Sequence, residues 1–132
     1  MNAVDTNVLI YARNPRELAK YQTARAIIGS MSDGALLWQV ACEFIAASRK
    51  LSDVGYTQVQ AWRELEEMRN LWQLVLPSEH VFVHAEQLTQ NLSFWDAMII
   101  AACIEGGITR LYTEDFDASL SKTTGIEIVN PF

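Results

Sequence analysis

Apolar residues in this chain fall into short blocks punctuated by Gly, Pro, Asp and Asn, and into longer stretches with helical spacing. Ala3-Val4-Asp5 reads as the end of a first strand, with Asn7–Ala12 as a short apolar continuation. Asn14-Pro15-Arg16-Glu17 has the signature of a helix start, with Asn14 as N-cap and proline at the first helical position, and that helix is expected to run toward Met31. Ala35–Trp38 reads as a second strand and Gln39 to about Leu51 as a helix. Thr57-x-x-Gln60 is a capping signature that opens a helix ending near Trp72. Leu74–Leu76 reads as a strand closed by Pro77, and Ser78 as the cap of a helix to about Asn91. Ser93 caps the next helix, which stops at Gly106-Gly107. Leu111–Thr113 and Ile126–Val129 read as the last strands. Strands alternating with helices imply an α/β fold, a mostly parallel central sheet with helices on both faces.

With 132 residues, no internal repeat and no linker-like tract, residues 1–132 are expected to form a single domain. Cys42 and Cys103 each sit among apolar neighbours and read as small buried hydrophobes, which suits a reducing compartment. No basic-then-apolar leader opens the chain, and the longest apolar run, Ala97–Ile104, is too short to span a bilayer. A soluble cytoplasmic protein without membrane partners is therefore expected. The formal charge is −6, unusual for a nucleic-acid binder. Its distribution changes that picture. Residues 1–69 hold eight basic and eight acidic residues, whereas residues 70–132 hold two basic and eight acidic ones. The whole excess lies in the second half, where it would attract cations or a basic partner segment.

Four acids stand where chemistry is expected. Ligands of open parallel sheets bind beyond the carboxyl ends of the strands. Asp5 follows the first strand and Asp115 follows Leu111–Thr113. Glu43 lies about one turn into its helix, beside Gln39, Ala46 and Ala47. Asp96 lies in the first turn of a helix, Phe94–Glu105, that is apolar nearly all round. A carboxylate beside such a buried stripe needs a partner. Each acid also has an ordinary structural reading: Asp5 as a turn or helix cap, Glu43 as a solvent-facing helix residue, Asp96 in a capping box with Ser93, and Asp115 as a loop acid in Glu114-Asp115-Phe116-Asp117. Together they supply the all-oxygen donor set that suits hard Mg2+ or Mn2+, the ions that serve phosphodiester cleavage.

Asp5-Thr6-Asn7-Val8-Leu9-Ile10 resembles the opening of PIN domains, especially VapC-type toxins of bacterial toxin–antitoxin pairs. Gln39-Val40-x-x-Glu43-Phe44 resembles their second motif, Phe94-Trp95-Asp96-Ala97-x-Ile99-Ile100-Ala101-Ala102 their third, and Leu111-Tyr112-Thr113-Glu114-Asp115 their fourth. Order and spacing agree over nearly the whole chain. The resemblance implies a three-layer α/β/α fold and a Mg2+- or Mn2+-dependent endoribonuclease acting on RNA. It implies that Asp5, Glu43, Asp96 and Asp115 are catalytic and hold the metal directly or through water, with hydroxyls from Thr6 and Thr113 nearby. It further implies a homodimer and a cognate antitoxin that can place a basic side chain in the acidic cup. Asp117 would be an auxiliary ligand at most.

Other features are secondary. Arg13, Arg16 and Lys20 would share a helix edge if the helix ran through Pro15, and with Arg25, Arg49 and Lys50 would be the candidates to touch phosphate. His80 and His84 are four residues apart, but no third ligand completes a zinc site. The four tryptophans read as core or dimer-interface residues. Three alternatives stay open: a PIN nuclease of RNA processing, a catalytically silent PIN-like binding module, and a haloacid-dehalogenase-type phosphatase. The last would need an aspartate two residues after Asp5, where Asn7 stands.

Overall fold

The short apolar blocks become five strands: β1 (Asn2–Val4), β2 (Gly34–Leu37), β3 (Gln73–Val75), β4 (Arg110–Tyr112) and β5 (Glu127–Val129). In the computed structural model, which describes residues 1–132, they form one sheet in the order β3-β2-β1-β4-β5. All four pairings are parallel, so the expected mostly parallel sheet is wholly so. Ala3 lies between Ala35 and Leu111, and Val4 beside Tyr112. The central residues Ala3, Val4, Leu36, Leu37 and Leu111 are almost completely buried, as covering helices require of a parallel sheet. The result is the three-layer α/β/α architecture.

The helices are α1 (Thr6–Tyr11), α2 (Leu18–Ser30), α3 (Trp38–Ser48), α4 (Gln58–Leu71), α5 (His80–Leu88), α6 (Phe94–Glu105) and α7 (Leu120–Thr124). Helix α3 packs against α1 and α4, whereas α5 and α6 pack against each other. Thr57 and Gln60 close a reciprocal capping box at α4, and Ser93 caps α6 through the Asp96 N–H. Gly106 is the C-cap of α6, and Gly107 follows at φ 71°, a conformation open to glycine.

Several expected elements differ. Asn7–Ala12 does not extend the first strand: Thr6–Tyr11 is helical, in keeping with the reading of Asp5 as a helix cap, because the Asp5 side chain accepts from the Thr6 N–H and starts a helix at once. Asn14 does not cap the next helix. Its side-chain oxygen accepts from the Arg16 N–H at 3.2 Å, a local turn that competes with helix, and α2 begins at Leu18. Arg13, Arg16 and Lys20 therefore share no helix edge. Arg13 is drawn inward, donating to the Leu9 carbonyl at 2.8 Å with its guanidinium 4.9 Å over the Phe44 ring. Arg16 pairs with Asp53 at 2.5 Å. Helix α3 ends at Ser48 and passes into a 3-10 turn, Arg49–Val54, closed by Gly55 at φ 83°. Helix α5 is shorter than Ser78–Asn91, running from His80 to Leu88; Ser78, just before it, accepts from the His80 N–H and donates to Glu105 across to α6.

Cys103 is buried, which pushes its thiol up to about 12, but Cys42 is exposed, contrary to its apolar neighbourhood. Among the tryptophans only Trp72 is buried. It lies over β2, where a Cβ added to Gly34 would sit 2.5 Å from Trp72 Cδ1. Gly34→Ala is expected to destabilise the fold by about 1–3 kcal/mol through this overpacking, seen as a lower urea midpoint. No helix is long and apolar enough to cross a membrane.

Candidate metal centre

The candidate site forms where β1 and β4 end side by side. The Asp5 N–H donates to the Tyr112 carbonyl and the Thr113 N–H to the Val129 carbonyl, each at 2.9 Å, so Asp5 and Thr113 leave the sheet at its carboxyl edge. Both are buried, Asp5 to 6 % exposure and Thr113 completely. The Thr113 hydroxyl donates to Asp5 Oδ2 at 2.9 Å, while Asp5 Oδ1 accepts from the Thr6 N–H at 2.7 Å. Asp5 is thus a helix cap and a candidate ligand together: its structural reading and its functional one coincide.

Helix α1 carries the next two connections. Thr6 Oγ1 donates to Glu43 Oε2 at 2.7 Å, and Asn7 Nδ2 donates to Asp115 Oδ2 at 2.9 Å. The Asp115 N–H donates to Thr113 Oγ1 at 3.1 Å, which turns the chain just after β4. Glu43 reaches this point from α3. Its second oxygen accepts from Gln39 Nε2 at 2.7 Å, and the same amide donates to the Trp95 carbonyl at 3.1 Å, tying α3 to the start of α6.

Three of the four expected acids, Asp5, Glu43 and Asp115, are therefore joined through Thr6, Asn7 and Thr113. Asp96 stands beside the network rather than in it. It is half-buried, one residue from the Trp95 carbonyl, and its N–H is taken by Ser93 Oγ at 3.4 Å without the reciprocal half of a capping box. Asp117 is turned away, its carboxylate accepting from the Ser119 N–H at 2.8 Å.

Electrostatically the site lacks a counter-charge. Burial pushes the Asp5 carboxyl up to about 6 against the lowering pull of the Thr6 N–H and Thr113 hydroxyl, and the negative charges of Asp115 and Glu43 push it further up. The side-chain oxygen of Asn7 is buried and has no hydrogen-bond partner. No three acidic, histidine or cysteine side chains already converge as a metal cage. The donor set nevertheless fits a hard divalent cation: all oxygen, mutually repelling, with one buried acceptor unsatisfied.

Asn7 and Gln39 are the residues to which sequence reasoning gave no role, although both stand in the quoted motifs, Asn7 two residues after Asp5 and Gln39 one helical turn before Glu43.

The PIN domain profile matches residues 3–125. The chain belongs to the PIN-domain family. Solved structures with this PIN fold include a toxin–antitoxin complex from Klebsiella pneumoniae, at 19 % identity and TM-score 0.67, with 100 % of this chain and 98 % of that chain covered. They include VapC20 of Mycobacterium tuberculosis, a sarcin–ricin-loop-cleaving toxin, at 17 % identity and TM-score 0.68, covering 93 % of this chain and 95 % of that one. VapBC2 from Rickettsia felis, bound to a DNA fragment from its promoter, is similar at 16 % identity and TM-score 0.64, covering 98 % and 97 %. No curated protein matches the chain by sequence.

Proposed function

We propose that this PIN-domain chain is a Mg2+- or Mn2+-dependent endoribonuclease and the toxin of a toxin–antitoxin pair. The observation that carries the reading is the hydrogen-bonded network at the carboxyl edge of β1 and β4 that links Asp5, Glu43 and Asp115 through Thr6, Asn7 and Thr113. Asp5, Glu43, Asp96 and Asp115 would hold the ion, directly or through water. A bound ion would supply Lewis acidity and a water acidified for attack on the scissile phosphate. The remaining work falls to the chain. Thr6 and Gln39 fix both oxygens of Glu43, Thr113 orients Asp5, and Asn7 orients Asp115. These bonds hold three of the four acids in defined orientations, and a cation would have to draw them together with Asp96.

Two partners fit the surface. The Klebsiella structure is a toxin–antitoxin complex, and the acidic second half of this chain suits a basic segment of such an antitoxin. A second copy fits the apolar face formed by α3, α5 and α6. There Trp38, Phe82, Phe94 and Trp95 line a cleft of about 440 Å3, and a neighbouring cleft of about 450 Å3 shares Trp38 and Cys42 and adds Trp62. Trp95 is 64 % exposed. A face of this kind marks an interaction site. Trp95→Lys is expected to convert a dimer to a monomer in sedimentation velocity; a wild-type protein that sediments as a monomer at micromolar concentration would remove this pairing.

The experiment that tests the nuclease is cleavage of mixed cellular RNA by protein freed of antitoxin, in Mn2+, in Mg2+ and with chelator. Cleavage is expected to require metal and to be lost in Asp96→Asn while the helical signal stays. Folded, metal-supplied wild type that cuts no RNA would favour the silent binding module. A neighbouring short reading frame encoding a basic protein separates a toxin from a nuclease of RNA processing.

A further inference from the structure

Glu114 lies between Thr113 and Asp115, both in the carboxylate network, yet its own side chain faces elsewhere. One carboxylate oxygen accepts from the Tyr11 hydroxyl at 2.5 Å and the other from Lys20 Nζ at 3.1 Å. Lys20 Nζ also donates to the Tyr11 oxygen at 3.1 Å, which closes a ring of three polar groups. Aromatic groups hold that ring in place. The Lys20 ammonium is 4.5 Å from the centre of the Tyr11 ring and 5.8 Å from that of Phe132, and the two rings meet edge-on at 5.0 Å.

This ring matters because of where Tyr11 sits. It is the last residue of α1, the helix that Asp5 caps and that presents Asn7 to Asp115. The Thr113–Asp115 segment is thus fastened to α1 at both ends of the helix: Asn7 holds Asp115 and Tyr11 holds Glu114, with Lys20 of α2 bracing the second bond. Three acids follow β4 within five residues, and only one of them bonds into the network. Were Glu114 free, its carboxylate would compete with Asp115 for the same cation, and the exposed Asp115, whose side chain Asn7 alone holds, would lose the second anchor of its backbone segment.

We propose that Tyr11 and Lys20 are positioning residues for the metal site: by pinning Glu114 to the α1–α2 side they set the Thr113–Asp115 segment so that Asp115 faces Asp5. The inference rests on the reading of the acids as a divalent-cation site. Groups that orient metal ligands commonly change affinity by about 10–100-fold when removed. The test is calorimetric titration of the metal-free full chain with Mn2+ alone at pH 7.5, for wild type, Tyr11→Phe, Lys20→Met, Lys20→Arg and the double variant Tyr11→Phe/Lys20→Met. Both single losses are expected to weaken Mn2+ binding about tenfold. The double variant should lose little more than either single one, since both act through Glu114, and Lys20→Arg should recover most of the affinity.

Melting of the same metal-free proteins separates a merely structural role, which would lower the melting temperature and leave Mn2+ affinity alone. Tyr11→Phe removes one oxygen atom and carries the test if Lys20→Met does not fold. Wild-type affinity in the folded single variants overturns this inference and leaves the metal site standing. No Mn2+ binding by the wild type overturns the metal site, and the inference falls with it.

Discussion

Asp5→Asn is expected to abolish RNA cleavage and, in the absence of metal, to make the fold more stable at neutral pH. The loss of activity follows from removing the most buried donor of the cluster. Metal stabilisation of developing charge is worth several kcal/mol, so the expected loss is on the order of 10^3-fold or more. The gain in stability follows from the Asp5 carboxyl, which burial first and the neighbouring Asp115 and Glu43 charges next raise from 3.8 to about 6 in the folded chain. Below pH 4 both folded and unfolded chains carry the proton and the fold bears no penalty. Between about pH 4 and 6 the unfolded chain releases its proton first, so metal-free stability falls as pH rises and then levels off. Integrated over that interval the cost is about 3 kcal/mol at most. Asparagine removes it but turns an amide N–H toward the Thr113 hydroxyl, which loses its acceptor at a cost of about 1 kcal/mol. A net rise in melting temperature at pH 7.5 that shrinks toward pH 4.5 is the expected result. A lower melting temperature at pH 7.5 would show that Asp5 serves chiefly as the cap of α1.

Metal is expected to reverse the same penalty in the wild type. A ligand bound only by the folded chain at a hundredfold excess over its dissociation constant adds about 2.7 kcal/mol, a rise on the order of 10 °C for a domain of this size. The rise should be largest at pH 7.5 and fade toward pH 5, because below about 6 the ion must displace a proton from Asp5. Chelator should return the melting temperature to its metal-free value. A shift as large at pH 5 as at pH 7.5 would point to binding away from Asp5.

What was legible in the sequence and what was not divides along physical lines. The parallel sheet and its order of strands and helices follow from short apolar blocks alternating with capped helical stretches, and the Thr57 and Ser93 caps are local signals that survive folding. The stretch from Asp5 to Glu17 was the hardest to read. There a side chain competes with the backbone twice: Asp5 opens a helix directly after β1, as its cap reading allowed, and Asn14 folds a turn where a helix was expected to begin. The four acids were legible as residues, but the connections among them were not. Asn7 reaches Asp115 across 108 positions and Thr6 reaches Glu43 across 37, contacts that no local pattern announces. Cys42 shows the complementary error, since an apolar neighbourhood in sequence became an exposed helix face.

The central claim is that four acids, and not three, gather one divalent cation. Asp96 tests it most directly, because it is the one that the hydrogen-bonded network leaves aside. The decisive measurement is calorimetric titration of metal-free wild type and Asp96→Asn with Mn2+ at pH 7.5. The expected result is one saturable site in the wild type, and binding weakened by at least tenfold in a variant whose melting temperature is unchanged without metal. Equal affinity in the two proteins would contradict the claim and return Asp96 to the first turn of α6 as a helix-terminal charge.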